Sequence, residues 1–267
     1  RTSALNWPKS GFSLVLLSGL STSIGAALAV GKREPGPKFM AAALGLSAGV
    51  MLYVSFMEIL PQSLEKLEST LGGEATATWT MMAAFFAGIA VIAIIDRLVP
   101  EEINPHEPAT TEEEARRKRL MKTGMFTAFA LAIHNFPEGF ATFLSGLEAP
   151  EIAIPVAVAI AIHNIPEGIA VAVPLRSAMG SRTKAFWWAT ISGLAEPVGA
   201  IIGFALLMPF IGPMTFGISF AVIAGIMVFI SLDELLPTAE ETGEHHCAIY
   251  GLIAGMAVMA VSLAMFI

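Results

Sequence analysis

The chain is 267 residues long, 55% hydrophobic and only 14% charged, with a mean hydropathy of +0.71. Soluble domains carry about 25% charged residues, so this composition excludes an ordinary soluble globule and points to a polytopic membrane protein. The net charge of -7 comes without a basic tail and gives no sign of nucleic-acid binding, and the single cysteine, Cys247, excludes an intrachain disulfide framework or a thiolate cluster.

A helix needs about 20 apolar residues to cross a bilayer. Eight runs qualify, at roughly 11–30, 39–61, 79–99, 121–147, 151–175, 185–209, 214–236 and 247–267. The first is read as a span rather than a signal peptide, because no cleavage site follows it. Turn-prone residues separate the runs: Pro35-Gly36-Pro37, Gly72-Gly73, Glu148-Ala149-Pro150, Gly180-Ser181 and Gly212-Pro213. The longest connection, about 100–120, is polar and lacks an apolar period, so it reads as a loop. The expected fold class is therefore all-α, with eight transmembrane helices.

Positive charges set the orientation. Lys32, Arg33 and Lys38 lie between the first and second runs, Arg116 to Arg119 and Lys122 between the third and fourth, and Arg176, Arg182 and Lys184 between the fifth and sixth. The opposite loops carry only Lys66, besides Arg1 and Lys9 in the N-terminal tail. Cytoplasmic loops collect Lys and Arg, which places both termini outside and the loop at about 100–120 in the cytoplasm.

Two internal repeats stand out. His134-Asn135-Phe136-Pro137-Glu138-Gly139 in the fourth run returns as His163-Asn164-Ile165-Pro166-Glu167-Gly168 in the fifth. A fainter match pairs Ala48, Gly49, Met51, Ser55, Glu58, Leu60 and Pro61 of the second run with Ala224, Gly225, Met227, Ser231, Glu234, Leu236 and Pro237 of the seventh, each 176 positions later. Each repeat joins an even-numbered span to an odd-numbered one, so the copies cross in opposite directions. That is the pattern of an inverted repeat, whose binding site lies near the midplane in secondary transporters.

In each copy the histidine and glutamate are four residues apart and share a helix face, with the asparagine beside it. The proline leaves a carbonyl one turn back without its donor, and the glycine lets another helix approach closely. Two imidazoles and two carboxylates, from His134, Glu138, His163 and Glu167, suit a borderline divalent cation such as Zn²⁺. A lone buried histidine is most often a packed core group. Duplication together with the same glutamate, asparagine and proline offsets argues for a metal site, because ionisable groups in a membrane are costly.

Glu196-Pro197 adds a third intramembrane carboxylate in the sixth run. With Asn135 and Asn164 it offers a neighbouring second metal position. Glu58 and Glu234, each three residues before a proline, read equally as interfacial acids or as pathway and gate residues, with Asp233 assisting Glu234. Asp96-Arg97 reads as an interfacial ion pair, and Glu244, His245 and His246 as a solvated loop.

At these residues the chain resembles the ZIP (Zrt-, Irt-like) family of divalent-metal transporters, and in particular its bacterial zinc importers. The motif pair HNFPEG and HNIPEG, SGLAEP in the sixth run and MEILP in the second carry the likeness. The resemblance implies a three-plus-two-plus-three helix bundle with the fourth and fifth helices central. It implies import of Zn²⁺, with Fe²⁺, Mn²⁺, Co²⁺ or Cd²⁺ also accepted, across the bacterial inner membrane. It further implies a binuclear centre on His134, Glu138, His163 and Glu167, completed by Asn135, Asn164 and Glu196. A homodimer and an elevator-like motion are implied as well, with no organic cofactor and no enzymatic activity. Some family members carry an acid where Asn164 stands, and many have a histidine-rich loop where this chain has only His106. The rival reading, an intramembrane zinc-dependent hydrolase, requires a general base directly after the first histidine of the zinc motif. Asn135 and Asn164 stand there instead.

Overall fold

A computed structural model of the chain describes residues 7–31, 36–98, 111–148, 150–207 and 212–264. Among these residues there are helices and turns but no strand. Eight helical rods follow one another: α1 (Trp7–Gly31), α2 (Pro37–Leu71), α3 (Glu74–Leu98), α4 (Glu112–Glu148), α5 (Pro150–Met179), α6 (Arg182–Gly193, then Ala195–Ile202 and a π-helical end Gly203–Leu207), α7 (Pro213–Glu240) and α8 (His245–Ala264). Six of them, α1, α2, α3, α6, α7 and α8, are long and apolar enough over their described residues to cross a bilayer.

The rods differ from the expected runs mainly at their polar ends. Residues 100–110 of the expected loop lie outside the described residues, but from Glu112 onward it is helix, the start of α4. Its first turn holds Glu112, Glu113 and Glu114, which favour a helix N-terminus. Without an apolar stripe, such a turn is invisible to a hydropathy reading. At the other end of α2, the helix runs on through Pro61 to Leu71 and stops at Gly72, whose φ of 67° gives the left-handed cap.

Proline passage explains a local feature of α2 and α7. A proline ring clashes with the carbonyl four residues back and supplies no N–H, and one extra residue in the preceding turn relieves this. Ser55–Ile59 before Pro61, and Ile230–Leu235 before Pro237, are both π-helical. In one, Leu60 N–H donates to the Ser55 carbonyl; in the other, Leu236 N–H donates to the Ser231 carbonyl. Ser55 Oγ donates to Met51 O at 2.7 Å and Ser231 Oγ to Met227 O at 2.8 Å. The two segments that match in sequence thus share one unusual backbone.

The rods assemble as two groups. In one, α1, α4, α5 and α6 pack on each other; in the other, α2, α3, α7 and α8 do so. Between lipid-soluble helices there is little hydrophobic drive, so close backbone approach through small residues does the packing. A Cβ on Gly49 would overlap the Leu252 carbonyl of α8, and one on Gly255 the Leu46 carbonyl of α2. Across the α3–α7 seam, a Cβ on Gly88 would overlap the Val222 carbonyl and one on Gly225 the Phe85 carbonyl. Trp79, Phe86 and Ile94 on α3, and Tyr250, Ile253 and Val261 on α8, lie exposed on the outside, as lipid-facing side chains must.

The Gly49→Val variant should therefore part α2 from α8. Overpacking costs about 1–3 kcal/mol, or roughly 2–4 °C of Tm per kcal/mol at this chain length. Thermal unfolding in detergent measures this. The outward-facing control Ala90→Val should leave Tm unchanged.

Charged contacts gather several helix ends at one end of the bundle. Arg176 is buried in the last turn of α5 and donates from Nη1 to Ala29 O of α1 at 3.2 Å. It caps the C-terminal carbonyls of α1, whereas the sequence reading had counted it among loop cations. Arg117 Nε donates to Ala178 O at 2.5 Å, tying the start of α4 to the end of α5.

Candidate metal centre

The helices α4 and α5 remain helical through Pro137 and Pro166. This holds both motif copies on rigid rods in the middle of the α1–α4–α5–α6 group. The side chains of His134 and His163 lie outside the described residues; those of the asparagines and glutamates do not. Asn135, Asn164 and Glu196 are completely buried, Glu167 is 1% exposed and Glu138 is half-buried. All five carry a charge or an amide in an apolar bundle, and for the four that are buried this costs several kcal/mol each unless something compensates it.

The structure brings Asn164 and Glu196 together. Asn164 Nδ2 donates to Glu196 Oε1, and also to the Ser18 carbonyl of α1 at 3.0 Å. Ser18 Oγ donates to the other carboxylate oxygen, Glu196 Oε2. Asn135 makes the corresponding reach from α4: its Nδ2 donates to the Ser192 carbonyl of α6 at 3.3 Å. Among the described residues, the amide oxygens of both asparagines, Asn135 Oδ1 and Asn164 Oδ1, are buried with no hydrogen-bond partner. Buried polar atoms are rarely left so, and an amide oxygen is a ready ligand for a divalent cation.

Glu196 owes its position to a break. After Gly193, Leu194 has ψ of -7°, and the helix restarts at Ala195 with Glu196 in its first turn. The glycine of each motif seats its helix on a neighbour. A Cβ on Gly139 would overlap the Glu196 carbonyl of α6, and one on Gly168 the Thr22 carbonyl of α1. Gly199 meets the Phe136 carbonyl and Gly25 the Ile165 carbonyl, while Gly19 and Gly193 face each other across the α1–α6 contact. From the other helix group, Ser47 Oγ of α2 donates to Pro166 O at 2.7 Å, within the second motif.

The sequence reading did not find Ser18 or Thr22. One signal was available. Ser18-Gly19-Leu20 and Ser192-Gly193-Leu194 are the same tripeptide, and Thr22 and Gly25 stand to the first as Glu196 and Gly199 stand to the second.

A second polar cluster lies where α3 and α7 end and α4 begins. Carboxylate oxygens of Asp96, Asp233 and Glu234 lie within 4.8 Å of one another. Lys122 Nζ of α4 is 2.8 Å from Asp96 Oδ1. Asp96 therefore pairs with Lys122 across helices, not with the neighbouring Arg97 as the sequence suggested. Thr123 Oγ1 donates to Glu234 Oε2 at 3.0 Å, and Arg119 Nε lies 3.3 Å from Glu241 Oε2. Glu58, the counterpart of Glu234, is half-buried in its π-helical turn.

Rods with lipid-facing exteriors and buried acids on their inner faces define a multi-pass integral membrane protein with a polar interior site. The sequence profile described as ZIP zinc transporter matches residues 98–263. The chain is 94% identical over 256 residues to a protein named zinc transporter ZupT from Corynebacterium aurimucosum, covering 96% of this chain and 97% of the relative. A zinc transporter ZupT of Corynebacterium efficiens is 64% identical, with 96% and 97% covered, and one of Streptococcus mutans is 55% identical, again with 96% and 97% covered. The chain belongs to the ZIP family of zinc transporters and is of the bacterial inner-membrane type.

Proposed function

We propose that this protein is a secondary transporter that carries Zn²⁺ inward through a binuclear centre between α4, α5 and α6. Transport of zinc across the membrane follows from the family and from the names of its relatives. The finer assignment rests on one observation above others: two buried asparagines whose amide oxygens have no partner among the described residues, one of them against the carboxylate of Glu196, inside duplicated His-Asn-x-Pro-Glu-Gly motifs. In this reading His134, Glu138, His163 and Glu167 hold one ion, and Asn135, Asn164 and Glu196 complete a second position. Fe²⁺, Mn²⁺, Co²⁺ and Cd²⁺ use the same donors.

The same reading takes all eight rods as membrane crossings, both termini outside, with α4 and α5 between two sets of three. An inverted repeat accounts for the pairing of contacts. Exchanging α1 with α6, α2 with α7, α3 with α8 and α4 with α5 turns the α2–α8 seam into the α7–α3 seam and the α1–α5 seam into the α6–α4 seam. Gly49 then corresponds to Gly225, Gly25 to Gly199 and Gly168 to Gly139, and each of these glycines meets a backbone carbonyl across its seam. The group α1, α4, α5 and α6 carries the ion past α2, α3, α7 and α8, and Glu58 and Glu234 with Asp233 stand at the two ends of the path.

Zinc and protons compete for imidazole and carboxylate donors. Zinc uptake into liposomes, followed with an internal zinc dye, should therefore show a KM that rises as external pH falls from about 7.5 to about 6. A KM constant across that range contradicts the ligand set. Dye-visible flux that is equal in protein-free liposomes contradicts transport itself.

A further inference from the structure

We infer that Ser18 on α1 is a positioning residue for the second metal position, orienting Glu196 through its hydroxyl and Asn164 through its carbonyl. The inference rests on the metal-centre reading above and adds a helix that the duplicated motif does not include.

The first argument is the direction of the hydroxyl. A serine inside a helix has a cheap partner in the carbonyl three or four residues back. Ser21, Ser55, Ser192 and Ser231 each donate to such a carbonyl, and Ser47 and Ser63, which reach another helix, do so to a backbone carbonyl. Ser18, fully enclosed at 1% exposure, donates instead to a side-chain carboxylate, Glu196 Oε2, on another helix.

The second argument is the comparison of the two halves. Ser18 and Ser192 occupy matching positions, and the carbonyl of each receives the amide of a motif asparagine, Asn164 in one case and Asn135 in the other. The halves part at the next turn, where one has Thr22 and the other Glu196. Of this pair, the serine that faces the carboxylate turns its hydroxyl off its own helix, while Ser192 Oγ stays on Ala189 O at 2.8 Å. Glu196 thus accepts from Ser18 on one oxygen and from Asn164 on the other. Donors of this kind fix the rotamer of a ligating carboxylate, and their loss typically costs about 10–100-fold in metal affinity. Thr22, whose buried hydroxyl has no partner among the described residues, lies one turn along the same face of α1.

The test is zinc titration calorimetry on the purified, metal-stripped full chain in detergent, for the parent, Glu196→Gln, Glu138→Gln and Ser18→Ala. The binding class that Glu196→Gln weakens should weaken about 10-fold or more in Ser18→Ala, and the class that depends on Glu138 alone should keep its parent affinity. Parent affinity in both classes of Ser18→Ala, or equal weakening of both, overturns the proposal while leaving the metal centre in place. A parent in which no zinc class depends on Glu196 removes instead the reading on which the proposal stands.

Discussion

Liposomes bearing Glu167→Gln should take up zinc at about 1% of the parent rate or less, with the protein folded and present in equal amount. The substitution keeps shape and hydrogen-bonding capacity and removes one negative charge. Glu167 is 1% exposed, so no bulk water replaces that charge. Removing one partner of a buried charge pair costs about 3–5 kcal/mol, and every 1.4 kcal/mol is about tenfold in occupancy. Glu138→Gln should act in the same direction and more weakly, because Glu138 is half-buried and water can share its role. The double variant His163→Ala with Glu167→Ala should be indistinguishable from empty liposomes. Parent-rate transport by either Glu167 variant would mean that the second motif is structural.

Cross-linking the start of α4 to the end of α7 should stop transport. Arg119 Nε and Glu241 Oε2 are 3.3 Å apart, both residues are more than half exposed, and they belong to different helix groups. Beside them, Lys122–Asp96 and Thr123–Glu234 make further contacts between the same groups. If the ion moves because one group slides past the other, these contacts must open in each cycle. The exposed Arg119–Glu241 pair contributes only about 0–1 kcal/mol, so thermal motion can break it, whereas a covalent link cannot yield. With Cys247 replaced by serine and cysteines at positions 119 and 241, a short cleavable bis-thiol reagent should cut zinc flux at least about tenfold, and reductant should restore it. Undiminished flux in fully cross-linked protein would mean that the two groups need not separate at this end.

The sequence carried much of this architecture because hydropathy and repetition are written in single residues. The apolar runs lie in helices among the described residues, six of them long and apolar enough to cross a bilayer, and Ser55-to-Pro61 matched Ser231-to-Pro237 closely enough that both fold into the same π-helical turn. The first turns of α4 escaped notice because they are charged, and α2 was cut short because proline usually ends a helix. Here the π-helical turn absorbs it. Spacing grouped Asn135, Asn164 and Glu196, and of these Asn164 lies against the Glu196 carboxylate. Ser18 was not, since a serine in an apolar helix reads as filler until the partner of its hydroxyl is known. Asp96 was assigned to its neighbour Arg97, because sequence shows adjacency along the chain and not across it; the ammonium that reaches it comes from Lys122.

The most direct measurement is an anomalous-difference map at the zinc edge from crystals of the protein soaked in zinc. The strongest peak should lie between α4 and α5 at the Glu138–Glu167 level, with a second beside Glu196 and Asn164. Zinc found only at the Asp96–Asp233–Glu234 end, or only on exposed His245 and His246, would contradict a buried centre made from the duplicated motif.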